Sequence, residues 1–179
     1  MRGARFQVAL HPAETARGFP STPTGLEVPE FVFSANPDAA LQPLRKVASG
    51  GELSRAFLAI KGALREASEG MVLVFDEVDA GIGGDVANTV GASLADLAAT
   101  HQVLVVTHLA QVAAFADQHV AIMKRDVDGR TVSEATVLDD DARVTELSRM
   151  LSGSPDSASA RQHADELRAA AGAVRRRSS

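Results

Sequence analysis

Met71-Val72-Leu73-Val74-Phe75-Asp76-Glu77 is an unbroken apolar run, rich in β-branched side chains, that ends in two adjacent acids. A short run of this kind reads as a strand buried in a parallel sheet, where strands deliver polar residues at their carboxyl ends. A second run, Val103-Leu104-Val105-Val106, ends in the same way in Thr107-His108. Between the two, Gly81, Gly83 and Gly84 make a turn into a helix ending near Ala99, and another helix follows His108 to about Ala116. Strand, helix, strand, helix in this rhythm predicts an α/β fold with a mostly parallel sheet flanked by helices.

Upstream, the alternation in Arg5-Phe6-Gln7-Val8-Ala9-Leu10 and the stretch Val28 to Phe33 read as strands, with turn-rich punctuation from Gly18 to Gly25, so the start is β-rich. Leu53, Ala56, Phe57, Ile60, Leu64 and Ala67 recur at helical spacing; the helix opens at Ser49 and Gly70 is its stop. Downstream, Val120 to Lys124 and Thr131 to Leu138 flank Asp128-Gly129 as a hairpin. A helix from about Ala142 to Leu151, a loop through Ser157 and a last helix from Ser159 to Ala171 complete a helical carboxyl-terminal end. Residues 172–179, with Arg175-Arg176-Arg177, read as a disordered tail, and one domain is expected over 1–179.

The chain holds 179 residues, 45% of them hydrophobic and 23% charged, which is a globular composition. The absence of Cys excludes a disulfide framework, a thiolate metal site and a cysteine nucleophile, and suits a reducing cytoplasm. No apolar run approaches a membrane span and the Arg-bearing start lacks a signal-peptide core, so no membrane partner is expected. A net charge of −5 argues against coating nucleic acid by bulk charge but leaves a local basic face open.

Three elements carry chemistry. Ser49-Gly50-Gly51-Glu52 opens a helix, whose first N–H groups lack partners and sit at the positive end of the dipole; two glycines let an anion approach the backbone closely. The same four residues also satisfy the S-x-x-E capping box, which needs no ligand. Asp76 and Glu77 point to opposite faces of the strand exit and can divide two jobs, one holding a hydrated magnesium ion and the other orienting or deprotonating a water. Equally, a strand can simply end in acids at the surface. His108 stands on the same sheet edge as the acid pair, whereas His11, His101, His119 and His163 have no comparable setting. A lone His is more often structural, and the shared edge is what lifts this one.

In order and interval these elements resemble the ATP-binding-cassette ATPases, with signature S-G-G-E, an apolar strand ending D-E and a strand-end His. Within that superfamily the text is similar to the RecN family of bacterial repair proteins, relatives of the SMC chromosome-maintenance proteins. The resemblance lies in Pro43 to Arg55, Phe75 to Gly84, Val106 to Ala113 and Arg143 to Gly153, and spans nearly the whole chain. Two departures stand out. Gly83 occupies a position where transporters and SMC proteins usually carry Asp, although the Gly81-Ile82-Gly83-Gly84 version is itself RecN-like, and Ala110 replaces the Pro common in RecN proteins after His-Leu. No G-x-x-x-x-G-K-[ST] phosphate loop (Walker A) and no coiled-coil heptads occur in the sequence. The expectation is therefore the carboxyl-terminal half of an ATPase head, from a truncated chain or a split gene.

The resemblance implies that Ser49, Gly50 and Gly51 contact the γ-phosphate of ATP held by a second head, with Glu52 capping the helix. It implies Asp76 as the Mg2+ ligand, Glu77 as the residue that polarises water, and His108 as a γ-phosphate contact. The implied partners are an amino-terminal Walker A and coiled-coil segment, a second head as homodimer, and DNA, chiefly broken ends, in a cytoplasmic, nucleoid-associated setting. The isolated half would be inactive and become an ATP hydrolase only when completed. Two other classes stay open: the nucleotide-binding subunit of a membrane transporter, and a non-catalytic dimerisation or DNA-docking module.

Overall fold

The computed structural model describes residues 3–13, 25–34, 36–47, 49–64, 70–127, 129–154 and 157–178. Most of the Gly18 to Gly25 stretch, together with Ala67, Asp128 and Ser179, lies outside the described residues. The chain divides into two compact units, 1–49 and 50–179, where a single domain was expected. The reason is where the apolar packing lies: both hydrophobic core clusters are built from residues of the second unit, while the first is a small sheet bonded to itself.

In the first unit β1 (Arg5–Pro12) pairs antiparallel with β2 (Glu27–Ser34), from Arg5 opposite Ser34 to Pro12 opposite Glu27. The two-residue β3 (Gln42–Pro43) joins the other side of β2, and a single turn of helix, α1 (Leu44–Val47), follows. Alternation correctly marks these strands. It does not bring burial with it, since Val8, Leu10, Val28 and Phe31 are all exposed. Phe33 and Ser34 are buried, and the Ser34 hydroxyl lies 2.7 Å from the Asn36 carbonyl and 3.2 Å from that of Ala39, holding the turn after β2.

The second unit runs α2 (Gly50–Ala63), β4 (Val72–Phe75), α3 (Gly84–Leu97), β5 (Gln102–Val105), α4 (Ala110–Ala113), β6 (Val120–Val127), β7 (Arg130–Val137), α5 (Asp140–Ser152) and α6 (Ala158–Ser178). β4 and β5 pair in parallel, Val72 opposite Gln102 and Phe75 opposite Val105, and the predicted strand, helix, strand unit is there. Among the described residues this is the one parallel pair, the other sheets being antiparallel. Leu73 and Phe75 face a core completed by Leu58 of α2, Val90, Leu94 and Leu97 of α3, and Val112 of α4. The opposite face is open: Val72, Val74, Leu104 and Val106 are 60%, 64%, 47% and 62% exposed. The strands are therefore buried on one face only, the helices among the described residues packing on the side of Leu73 and Phe75.

A second core joins α4, α5 and α6 through Phe115, Val144, Leu147, Ala164 and Ala171. Gly91 makes this junction possible, since a Cβ there would lie 2.5 Å from the Phe115 ring. Asp139 caps α5, its side chain accepting from the Ala142 N–H at 2.8 Å. β6 and β7 form the expected hairpin, longer than the apolar pattern suggests and buried only at Ala121. The reading of 172–179 as a tail also meets a difference, because α6 continues as helix to Ser178. The alanine-rich run Ala169-Ala170-Ala171 favours that continuation.

Candidate functional site

Because β4 and β5 are parallel and in register, Asp76-Glu77 and Thr107-His108 emerge at one edge of the pair. Val78, fully buried, pins the turn after the acids into the core, and within it the Ala80 N–H donates to the Glu77 carbonyl at 3.0 Å. α2 begins against this same turn. A Cβ on Gly51 would stand 2.9 Å from both the Ala80 Cβ and the Glu77 carbonyl oxygen, and one on Gly50 would collide with Glu77 Oε2. Gly51 is thus required by close packing against backbone inside this chain, whereas at Gly50 the exposed Glu77 side chain could swing away. Ser54 Oγ donates to the Asp76 carbonyl at 2.7 Å, and Arg55 Nη1 donates to the carbonyls of Val78 and Ala80 at 3.1 and 2.9 Å.

Six of the seven sequence-picked residues thus belong to the second unit. Asp76 is exposed and its Oδ1 accepts from the Glu77 N–H at 2.9 Å. Glu77 is exposed and adopts φ 56°. Glu52 lies half-buried in the first turn of α2. Ser49 is exposed and immediately precedes α2, as the last residue of the first unit. Gly83 is the N-cap of α3 in extended backbone, and Ala110 opens α4 buried, so Ala in place of the expected Pro does not displace that helix.

Sequence reasoning missed Asp79. It is 2% exposed, and its Oδ2 accepts from Thr107 Oγ1 at 2.5 Å and from the His108 N–H at 2.9 Å, with His108 Nδ1 at 3.1 Å. Burial alone would raise its pKa; the bonds from Thr107 and from the His108 backbone, with the nearby His108 charge, outweigh it and hold the carboxyl below its ordinary 3.8. Farther along, burial and then the Arg143 charge push His119 below its ordinary 6.5, against a smaller pull from Glu146. Arg143 itself donates to the carbonyls of Ala116 and Asp117 at 2.6 and 3.2 Å.

These shifts fix a pH dependence. Each group binds its proton less readily folded than unfolded, so its stabilising contribution is complete above the unfolded value and is lost as pH falls through the folded one. Stability measured by urea unfolding is expected to decline first below pH 6.5, as His119 is protonated in the unfolded chain, and again below pH 4.5, through Glu146, which the Arg149 hydrogen bond holds below its ordinary value, and then through Asp79. His119→Gln should flatten the upper step and leave the lower one. An unchanged upper step would remove His119 from the account.

No family model matches the sequence. DNA repair protein RecN of Mycobacterium leprae is 50% identical over 143 residues, covering 80% of this chain and 24% of that protein. The RecN of Deinococcus radiodurans is 54% identical over 135 residues, 75% of this chain and 23% of its own length. The RecN of Halalkalibacterium halodurans is 40% identical over 168 residues, 93% of this chain and 29% of its own. The chain belongs to the RecN family. It matches the carboxyl-terminal part and spans about a quarter of the length of the curated relatives. A solved structure from work on ATP-driven dimerization and DNA stimulated activation of SMC ATPases matches with TM-score 0.50 and 19% identity, covering 84% of this chain and 83% of that one. At that identity the likeness carries the fold, an ABC-type ATPase lobe, and nothing further.

RecN membership makes a nucleotide with a divalent cation the ligand to test against these residues. Among the described residues no group of three or more His, Asp or Glu side chains could hold an ion by itself. Magnesium is commonly held by one or two carboxylates plus substrate phosphates, and the exposed carboxylate of Asp76 is chemically able to serve as one such donor. No helix among the described residues is long and apolar enough to cross a membrane.

Proposed function

We propose that this RecN-family segment is one half of an ATPase head, supplying signature, acid-pair and strand-end His groups to a composite ATP site that closes when two heads engage. The observation that carries the reading is the shared edge: parallel β4 and β5 bring Asp76-Glu77 and Thr107-His108 together, and α2 starts on the same turn. Asp76 would hold Mg2+, which when bound neutralises charge on the phosphates. Glu77 orients and polarises the attacking water, and the exposed His108 ring reaches the γ-phosphate. Ser49, Gly50 and Gly51 face the ATP of the opposing head, with Glu52 capping α2.

Two further observations support a half. No phosphate-loop motif occurs in the sequence, so the cradle for the β- and γ-phosphates comes from another segment. The apolar face formed by Val72, Val74, Leu104 and Val106 suits cover by further chain. The biological work is ATP-gated head engagement on DNA, chiefly at broken ends in recombinational repair, as the repair role of the named relatives suggests.

The test mixes the chain with a separately expressed RecN segment bearing the phosphate loop. The chain alone should hydrolyse ATP at background, and the mixture should show magnesium-dependent turnover at least about a hundredfold higher, given the weight of phosphate positioning in this chemistry. Robust turnover by the chain alone would sink the half-head reading. A mixture that assembles yet never hydrolyses ATP would favour the docking module instead.

A further inference from the structure

We propose that Asp79 is the positioning residue for His108, fixing which ring nitrogen faces outward. This rests on the reading of His108 as a phosphate contact only for its catalytic consequence; the positioning itself stands on geometry. Asp79 sits in the turn after β4, almost wholly buried; its Oδ2 accepts from Thr107 Oγ1 at 2.5 Å and from the His108 N–H at 2.9 Å, and His108 Nδ1 stands 3.1 Å from the same oxygen, at ion-pair distance. A buried carboxylate is costly unless its oxygens are satisfied by such donors. Two of these three contacts, from the Thr107 hydroxyl and the His108 N–H, stitch the end of β5 to the turn. A stitch needs no more than that.

The third contact is the ring. The His108 side chain is 74% exposed, and a ring so solvated and without a fixed neighbour would rotate and exchange tautomers freely; the Asp79 carboxylate at 3.1 Å is such a neighbour. With a carboxylate oxygen 3.1 Å from Nδ1, a lone pair there would face negative charge, so the neutral ring favours the Nδ1–H form and Nε2 becomes the outward atom, an acceptor when neutral and a donor when protonated. Carboxylates that orient catalytic imidazoles act in this manner, holding tautomer and direction without touching substrate. Leu109 N donates to Thr107 Oγ1 at 3.1 Å, which fixes the hydroxyl so that its proton points at Asp79.

The experiment reads the imidazole nitrogen shifts of the chain by NMR above neutral pH, with the exposed His163 as internal reference. His108 is expected in the Nδ1–H form and His163 in the free-imidazole mixture dominated by Nε2–H; Asp79→Asn, which keeps size but removes the charge that favours a proton on Nδ1, should return His108 to the His163 pattern. A wild-type His108 indistinguishable from His163 overturns the proposal. Thr107→Val removes a stitch bond but not the ring contact, so it should weaken folding and leave the His108 tautomer in place; a tautomer change equal to that in Asp79→Asn would also overturn it. In the completed head, Asp79→Asn should lower kcat at unchanged KM, and adding it to His108→Ala should cost nothing extra. Full additivity would make Asp79 merely structural. Should His108→Ala itself leave turnover intact, the phosphate-contact reading fails while the tautomer result still judges the positioning.

Discussion

Glu77→Gln in a completed head is expected to reduce ATP turnover by about 10²–10⁴-fold while ATP binding and ATP-dependent head dimers persist. The amide keeps the shape of the side chain and makes no new demand on a turn already held by Val78 in the core and by Arg55 on its carbonyls. What it removes is the negative charge, which in the proposed site would both polarise water and repel the γ-phosphate. Engaged dimers should therefore accumulate instead of cycling. Single-turnover hydrolysis beside light scattering of the ATP-bound species checks this, and an equal loss of binding and hydrolysis would mark Glu77 as structural.

Gly51→Ala should cost about 1–3 kcal/mol of stability by overpacking and should abolish ATP-dependent engagement. Its Cβ would press at 2.9 Å on the Glu77 carbonyl and at 3.0 Å on that of Ala80, both backbone atoms, so no side-chain rotation can make room. The turn must move, and with it Asp79 and the end of β5. Gly62→Ala in the same helix is the control, since nothing lies within 4 Å of a Cβ there. It should be neutral or stabilising by up to about 1 kcal/mol, because Ala favours helix over Gly. Urea unfolding of both variants decides the matter, and equal stabilities would mean that the turn yields freely.

Much of the fold could be read from local pattern. Met71 to Phe75 and Val103 to Val106 announced parallel strands, and Asp128-Gly129 announced a hairpin between β6 and β7. What pattern could not convey is cover: Val74 and Leu104 have the same composition as buried strand residues, and their exposure depends on which elements stand opposite. The division at Ser49 was hidden for a related reason, since the signature text runs across it without a break in composition. At the site, Asp76, Glu77 and His108 were visible as polar ends of apolar runs. Asp79 looked like one more acid in a polar turn, and only the approach of Thr107-His108 distinguishes it. The available signal was its place two residues beyond Glu77, facing the end of the neighbouring strand.

The backbone of Glu77, at φ 56°, lies where glycine and asparagine are comfortable and a long side chain is not. Holding it there costs of order 1–3 kcal/mol, an appreciable share of a domain's net stability. A sequence drifting under pressure for folding alone would relax position 77 to Gly or Asn. Thermostabilising this segment by selection on melting temperature would therefore move against the acid pair, and under the proposed role of Glu77 stability and turnover would have to be selected together.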